Sequence, residues 1–192
     1  KLKALAGAIT LALGTSSAFA AAIVGDIAFS QLSTTTITPT GGSGTMATAT
    51  GFSFGNPVPG GYNMQAVAST GTFVAEGVVA GFPGGTLGTQ YAFTFSPNTP
   101  VNPLWTIDGF SFSATSFTLV SQTNSLVTIR GAGVISHAGY DDSVGQWDFT
   151  ANNSGSVFSW SSSATVPLPA TVGLLGLGLA AVGAVSRRRV AA

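Results

Sequence analysis

Gln146-Trp147-Asp148-Phe149-Thr150 and Val157-Phe158-Ser159-Trp160-Ser161 lie on either side of Asn152-Asn153-Ser154-Gly155. In each stretch two aromatic residues are spaced two apart, with an acidic or hydroxyl residue between them. That is the period of a β-strand, whose successive side chains point to opposite faces. The Asn/Ser/Gly cluster between them supplies local side-chain hydrogen bonds and left-handed backbone, as a turn requires. The pair therefore reads as two adjacent strands that bury Trp147, Phe149, Phe158 and Trp160 on one side.

The same period extends outward in both directions. Residues 126–129 place Val127 and Ile129 on one face, and Gly131-Ala132-Gly133-Val134-Ile135 continues that strand. Residues 104–112 carry Trp105, Ile107, Phe110 and Phe112, and residues 90–95 carry Tyr91, Phe93 and Phe95. Apolar runs at 23–29, 45–54, 72–79 and 117–119 complete the set. Turn clusters separate them, among them Gly41-Gly42-Ser43-Gly44, residues 56–61, Pro83-Gly84-Gly85 and Pro97-Asn98-Thr99-Pro100. Short strands at about 8–12-residue spacing point to a sandwich or a barrel. The reading adopted is all-β: a single β-sandwich or jelly-roll-like domain over residues 21–165. Residues 31–50, rich in Thr, Gly and Ala, read as an edge strand pair or a flexible arm.

Charge narrows the function. Between the two ends the sole cation is Arg130, against Asp26, Glu76, Asp108, Asp141, Asp142 and Asp148. Nucleic-acid partners demand clustered Lys and Arg for phosphate contacts, so they are excluded. The 192-residue chain has no cysteine, and its core must hold without disulfides.

Both ends carry addresses. Lys1 and Lys3 precede an apolar run over residues 4–13, a Gly14-Thr15-Ser16-Ser17 breaker and Ala18-Phe19-Ala20. Charge, apolar run and small-x-small site occur in the order of a secretory signal peptide. The expectation is a signal peptide at 1–20, with Ala18 and Ala20 as the small residues that signal peptidase reads before cutting ahead of Ala21. At the other end, Val166-Pro167-Leu168-Pro169-Ala170 leads into an uncharged apolar stretch at 171–186 and then Arg187, Arg188 and Arg189. As a helix that stretch would span about 24 Å, the short edge of what crosses a hydrocarbon core of ~30 Å. The expectation is one transmembrane helix, with the arginines as its cytoplasmic stop. Each proline fixes φ and pushes the preceding residue to an extended conformation. The motif is thus a stiff, extended segment of the kind a protease-like cleft can grip.

Residues 166–189 resemble a PEP-CTERM sorting signal of the VPLPA type. The resemblance implies recognition of Val166, Pro167, Leu168, Pro169 and Ala170 by an exosortase, a membrane transpeptidase-like cysteine enzyme. It implies cleavage near the motif and release to the outside, often in bacteria that make exopolysaccharide. The Gly-x-Gly, acidic turn, Trp-x-Phe and Phe-x-Trp-Ser-Ser order in the last third also resembles the C-terminal hairpins of PEP-CTERM surface proteins, loosely and without any binding residue to carry over.

Candidate sites in the middle are few. His137 is the sole histidine, and a Ser-His-Asp arrangement would need it together with Asp141 or Asp142. No Gly-x-Ser-x-Gly elbow accompanies it. Asp141, Asp142 and Asp148 are weak calcium candidates without an EF-hand spacing. Trp105, Trp147 and Trp160 fit the core better than a sugar platform. Tyr62, in a Pro/Gly loop, and Tyr140, in the acidic turn, are the better glycan candidates. The expectation is a non-enzymatic, cofactor-free protein of the envelope or exopolysaccharide/biofilm matrix, with self-association through strand edges. Two alternatives stand beside it: a glycan-binding surface protein, and a permanently membrane-anchored one.

Overall fold

The computed structural model describes residues 20–55 and 59–162. Residues 1–19 with Ala18, the sorting motif Val166 to Ala170, the expected membrane helix at 171–186 and Arg187 to Arg189 lie outside the described residues. Among the described residues no helix is long and apolar enough to cross a membrane.

The chain forms β1 (Ala21–Ala22), β2 (Asp26–Gln31), β3 (Ile37–Thr40), β4 (Gly51–Phe54), β5 (Met64–Ser69), β6 (Leu87–Gln90) and β7 (Phe93–Thr94). It continues with β8 (Val101–Ile107), β9 (Phe110–Ala114), β10 (Thr118–Gln122), β11 (Leu126–Ser136), β12 (Tyr140–Asp141), β13 (Ser143–Asn152) and β14 (Gly155–Ser162). One helical turn, α1 (Thr72–Ala75), and a 3-10 turn at Met46–Thr48 interrupt the strands.

The main sheet runs β10-β11-β13-β14-β2-β5-β6-β8-β9, and β9 pairs back onto β11. Leaving out β10, the other eight strands close into an antiparallel barrel. The closing seam matches Ala114 with Gly133 and Ser111 with Ser136. Strand β10 lies outside the ring, on the first half of β11, with Thr118 opposite Arg130. The expected sandwich or jelly roll is corrected here: the inner faces meet around one closed sheet and not across two stacked ones. The physical reason is the length of β11, which reaches past β10 and offers its second half to β9.

An eight-stranded barrel has an interior just wide enough for side chains to fill. Alternation along β13 sends Ser143, Gly145, Trp147, Phe149 and Ala151 inward and leaves Val144, Gln146 and Asn152 exposed. Trp147 faces Trp160 across β14, and Phe149 faces Phe158, which faces Phe29 in turn. The Trp147 and Phe158 rings stack with centroids 5.4 Å apart, and Phe29 meets Trp105 edge-on at 4.9 Å. Such pairs add about 0.5–1.5 kcal/mol each beyond their buried area.

Glycines make room for these rings. A Cβ at Gly145 would lie 2.3 Å from the Trp160 indole, and one at Gly133 would lie 2.3 Å from both the Phe112 ring and the Ser113 carbonyl. The Gly-x-Gly of β11 is therefore the small half of a large-small alternation inside the barrel. The two ends are closed differently. At one, Phe73 of α1 packs on Phe110 (4.7 Å) and Trp160 (5.5 Å). At the other, the β3-β4-β7 sheet sets Phe52 and Phe93 against Phe149, each at 5.2 Å.

Three sequence readings change in detail. Residues 104–112 are a hairpin: Asp108 and Gly109 both have positive φ, 44° and 81°, and Ile107 pairs with Phe110. An Asp-Gly pair in that conformation matches the twist of the strands it joins. Residues 72–79 hold α1 rather than a strand, between the positive-φ glycines Gly71 and Gly77. Residues 31–50 contain a true strand, β3, whose partner is β4.

Gly145→Ala should therefore destabilise the barrel by about 1–3 kcal/mol through overpacking, and Trp160→Ala by about 3–5 kcal/mol through the cavity it leaves. Urea denaturation of the purified variants measures both.

Candidate functional site

The pairing pattern sorts the molecule into two functionally different ends. Asp26 of β2 lies opposite Ser161 of β14, and Ala21 of β1 pairs in parallel with Tyr140 of β12. The Ile23 N–H donates to Ser143 Oγ at 2.8 Å, and Val24 N–H donates to Thr72 Oγ1 at 3.0 Å. The chain thus enters and leaves the barrel at the same end, the one closed by Phe73.

That end is also where the acids collect. Asp26 sits beside the C-terminal exit, Asp108 caps the β8-β9 hairpin, and Asp141 and Asp142 lead into β13. Glu76 follows α1 and accepts a hydrogen bond from the Tyr140 hydroxyl at 2.5 Å. All five carboxylates are exposed. The sixth, Asp148, lies on the barrel wall, where it pairs with Arg130 Nε at 2.7 Å. That pair is well exposed and screened by solvent.

The sequence candidates are placed as follows. His137 stacks on Phe110, with centroids 4.2 Å apart, and meets Tyr140 edge-on at 5.6 Å. Its Nδ1 is buried without a partner. Among the described residues no serine or carboxylate hydrogen-bonds its ring, so the elements of a nucleophilic triad are not brought together there. Asp148 lies along β13 opposite Arg130, with which it pairs, and among the described residues no three acidic or histidine side chains gather as metal ligands. Trp105, Trp147 and Trp160 are buried in the barrel and present no face to a sugar. Tyr62 is exposed and lines a shallow depression with Leu87, Thr106 and Asp108. Tyr140 is half-buried and tied to Glu76. The two tyrosines do not form one platform. Ala20, exposed, stands just before β1.

The opposite end carries a cleft that sequence reading missed. It has a volume of about 480 Å³ and is built from four loops, with Gln31, Thr35, Asn124, Asn152 and Asn153 among its lining residues. Gln31 ties two of these loops together: its Nε2 donates to the Thr35 carbonyl, and its Oε1 accepts the Ser156 N–H at 3.0 Å. Asn152 Oδ1 accepts the N–H groups of Ser154 (2.8 Å) and Gly155 (2.9 Å), which shapes the tight turn between β13 and β14. The signal in the sequence was the Asn152-Asn153 pair, read correctly as a turn. Its neighbours in space lie some 30 and 120 positions away and only strand pairing reveals them.

The family model described as the PEP-CTERM protein-sorting motif matches residues 165–189. The chain carries a PEP-CTERM sorting motif. The match begins three residues beyond Ser162, the last residue of β14. The motif implies export to the cell envelope or surface and processing by an exosortase. No curated protein and no solved structure matches the chain, so the barrel itself has to be read from its own residues.

The Tyr140 hydrogen bond sets a pH dependence. Donation to Glu76, then desolvation and the Glu76 charge, raise the phenol above its ordinary 10.0. A raised value in the folded state means stability that is present below pH 10 and lost as pH rises through the folded value. Tyr140→Phe should lower the melting temperature at pH 8, and the gap to the parent should shrink above pH 10. Paired thermal melts at the two pH values check this.

Proposed function

We propose that this is an exported, exosortase-sorted surface protein whose barrel has a structural, non-enzymatic role in the envelope or exopolysaccharide/biofilm matrix. The observation that carries the reading is the sorting motif joined directly to a solidly packed barrel. Three residues lie between Ser162 and Val166, and the four Cα-to-Cα steps reach at most about 14 Å. The exported domain would therefore stand on the membrane by the end where both its termini emerge, while the processing enzyme acts just beneath it.

In this reading signal peptidase cuts after Ala20, the stretch at 171–186 holds the chain in the membrane, and Arg187 to Arg189 stay cytoplasmic. Cleavage near Val166 to Ala170 then hands the barrel to the outside. Buried aromatic side chains fill the barrel, and among the described residues no serine or carboxylate hydrogen-bonds the His137 ring. The outer wall suits association: β10 is a strand outside the ring, with Leu119 and Val120 exposed. An unpaired edge of that kind is a template for a second strand.

Intact mass of the protein recovered from outside its native host tests the reading. The expected product begins at Ala21 and ends between Val166 and Ala170. A product that retains Arg187 to Arg189 would show a permanent anchor instead. Replacing Pro167 and Pro169 together by Ala should leave the uncut form in the membrane fraction, since the stiff extended segment is lost.

A further inference from the structure

We propose that the cleft at the barrel end opposite the chain exits is a binding site for a neutral saccharide. The inference rests on the exported-surface reading for where the ligand is met, and on the cleft alone for its chemistry.

None of the described residues that line the cleft is charged. Carboxamides and hydroxyls dominate instead, and each carboxamide offers donors and an acceptor side by side. That set suits vicinal hydroxyl groups and gives no preference for an ion of either sign. Some of these groups are already committed to shape. Gln31 uses both ends of its amide to clamp the loops, Thr35 Oγ1 donates to the Asn63 carbonyl at 2.9 Å, and Asn152 Oδ1 holds its turn. What remains is turned outward. The Asn124 and Asn153 side chains make no hydrogen bond with any described residue, and both are exposed on the rim.

The cleft also has an apolar side. Ile37 and Pro39 are half-buried there, next to buried Met46. A pyranose ring presents hydroxyls at its edge and C–H groups on its face, so a polar rim beside an apolar wall matches both. A volume of about 480 Å³ lies within the range of small-ligand sites, about 300–1,000 Å³. The scaffold is preformed, because the loop clamp and the turn are held by hydrogen bonds within the protein. Preformed loops reduce the ordering cost of binding.

Position completes the argument. The five exposed carboxylates crowd the end from which both termini leave, and the cleft lies at the other. A barrel tethered by its tail would hold this uncharged end away from the membrane, toward any polymer around the cell. The earlier candidates do not serve this purpose. Tyr140 belongs to the acidic end, and Tyr62 lies in a separate depression.

Full-length protein in detergent micelles, screened on an array of neutral and anionic glycans with hits titrated by calorimetry, tests the site. Binding of neutral glycans is expected, unchanged by raised salt. Asn124→Ala combined with Asn153→Ala should weaken it by about tenfold or more, as loss of two direct hydrogen bonds implies. Both side chains are exposed and make no hydrogen bond with any described residue, so the melting temperature of that variant should stay at the parent value. Tyr62→Ala should bind as the parent does. Absence of neutral-glycan binding, binding of anionic glycans alone, or undiminished binding by the double variant would overturn the proposal. Because the titration uses the uncut chain, its result is independent of whether the tail is processed.

Discussion

The β9–β11 seam is what the rest of the molecule depends on. Four residue pairs, from Gly133 with Ala114 to Ser136 with Ser111, turn a meandering antiparallel sheet into a ring. Once the ring is closed, Trp105, Trp147, Trp160, Phe112 and Phe158 share one enclosed volume, and Trp147, Phe112 and Trp160 fit because a facing position is small. Gly131, Gly133 and Gly145 occupy those positions, with aromatic ring atoms within 2.3–2.6 Å of where a Cβ would stand. Closure also removes the edges of eight strands and leaves β10, outside the ring, as the open edge of the main sheet. The cost is specificity of size: an interior filled by large rings tolerates neither a larger nor a smaller residue at its contacts.

Much of this was legible in the chain, and the limits are physical. The Trp147-x-Phe149 and Phe158-x-Trp160 pairs announced a hairpin because period two and turn chemistry are both local. The eleven-residue β11 was legible for the same reason, since its Gly-x-Gly keeps the inward parity of Val127 and Ile129. Closure was not legible. Whether β9 pairs onward or back depends on hydrogen bonds between residues some 20 positions apart, and the alternation of a sandwich strand is identical to that of a barrel strand. The parity break between Ile107 and Phe110 was present in the sequence, and Asp108-Gly109 is the turn that explains it. The sorting motif was legible because its signal is linear, and the family model matches it at residues 165–189.

The sequence offered arguments about what the site would not be, and no view of the cleft. Sparse charge and a lone His137 argued against nucleic acid and against a nucleophilic triad, and the structure surrounds His137 with Phe110 and Tyr140 rather than with a serine. The cleft escaped notice because its residues are ordinary turn formers, scattered from Gln31 to Gly155. Asn152 illustrates the difficulty. One carboxamide oxygen builds the turn, which is its structural duty, while the same turn places Asn153 on the rim.

The division of labour between the two ends follows from strand direction. Strand β14 runs from the cleft at Gly155 to the exit at Ser162, and β2 runs back from Asp26 beside that exit to Gln31 in the cleft. Because neighbouring strands are antiparallel and the termini lie on neighbouring strands, any tether at either terminus pulls on the same end. Five of the six acids also lie there, which leaves the far end nearly free of net charge. An arrangement of this kind would present the same surface outward from a tether at either terminus. The polarity of the barrel, and so the accessibility of the cleft, is therefore built into the sheet order and not into the tail that delivers it.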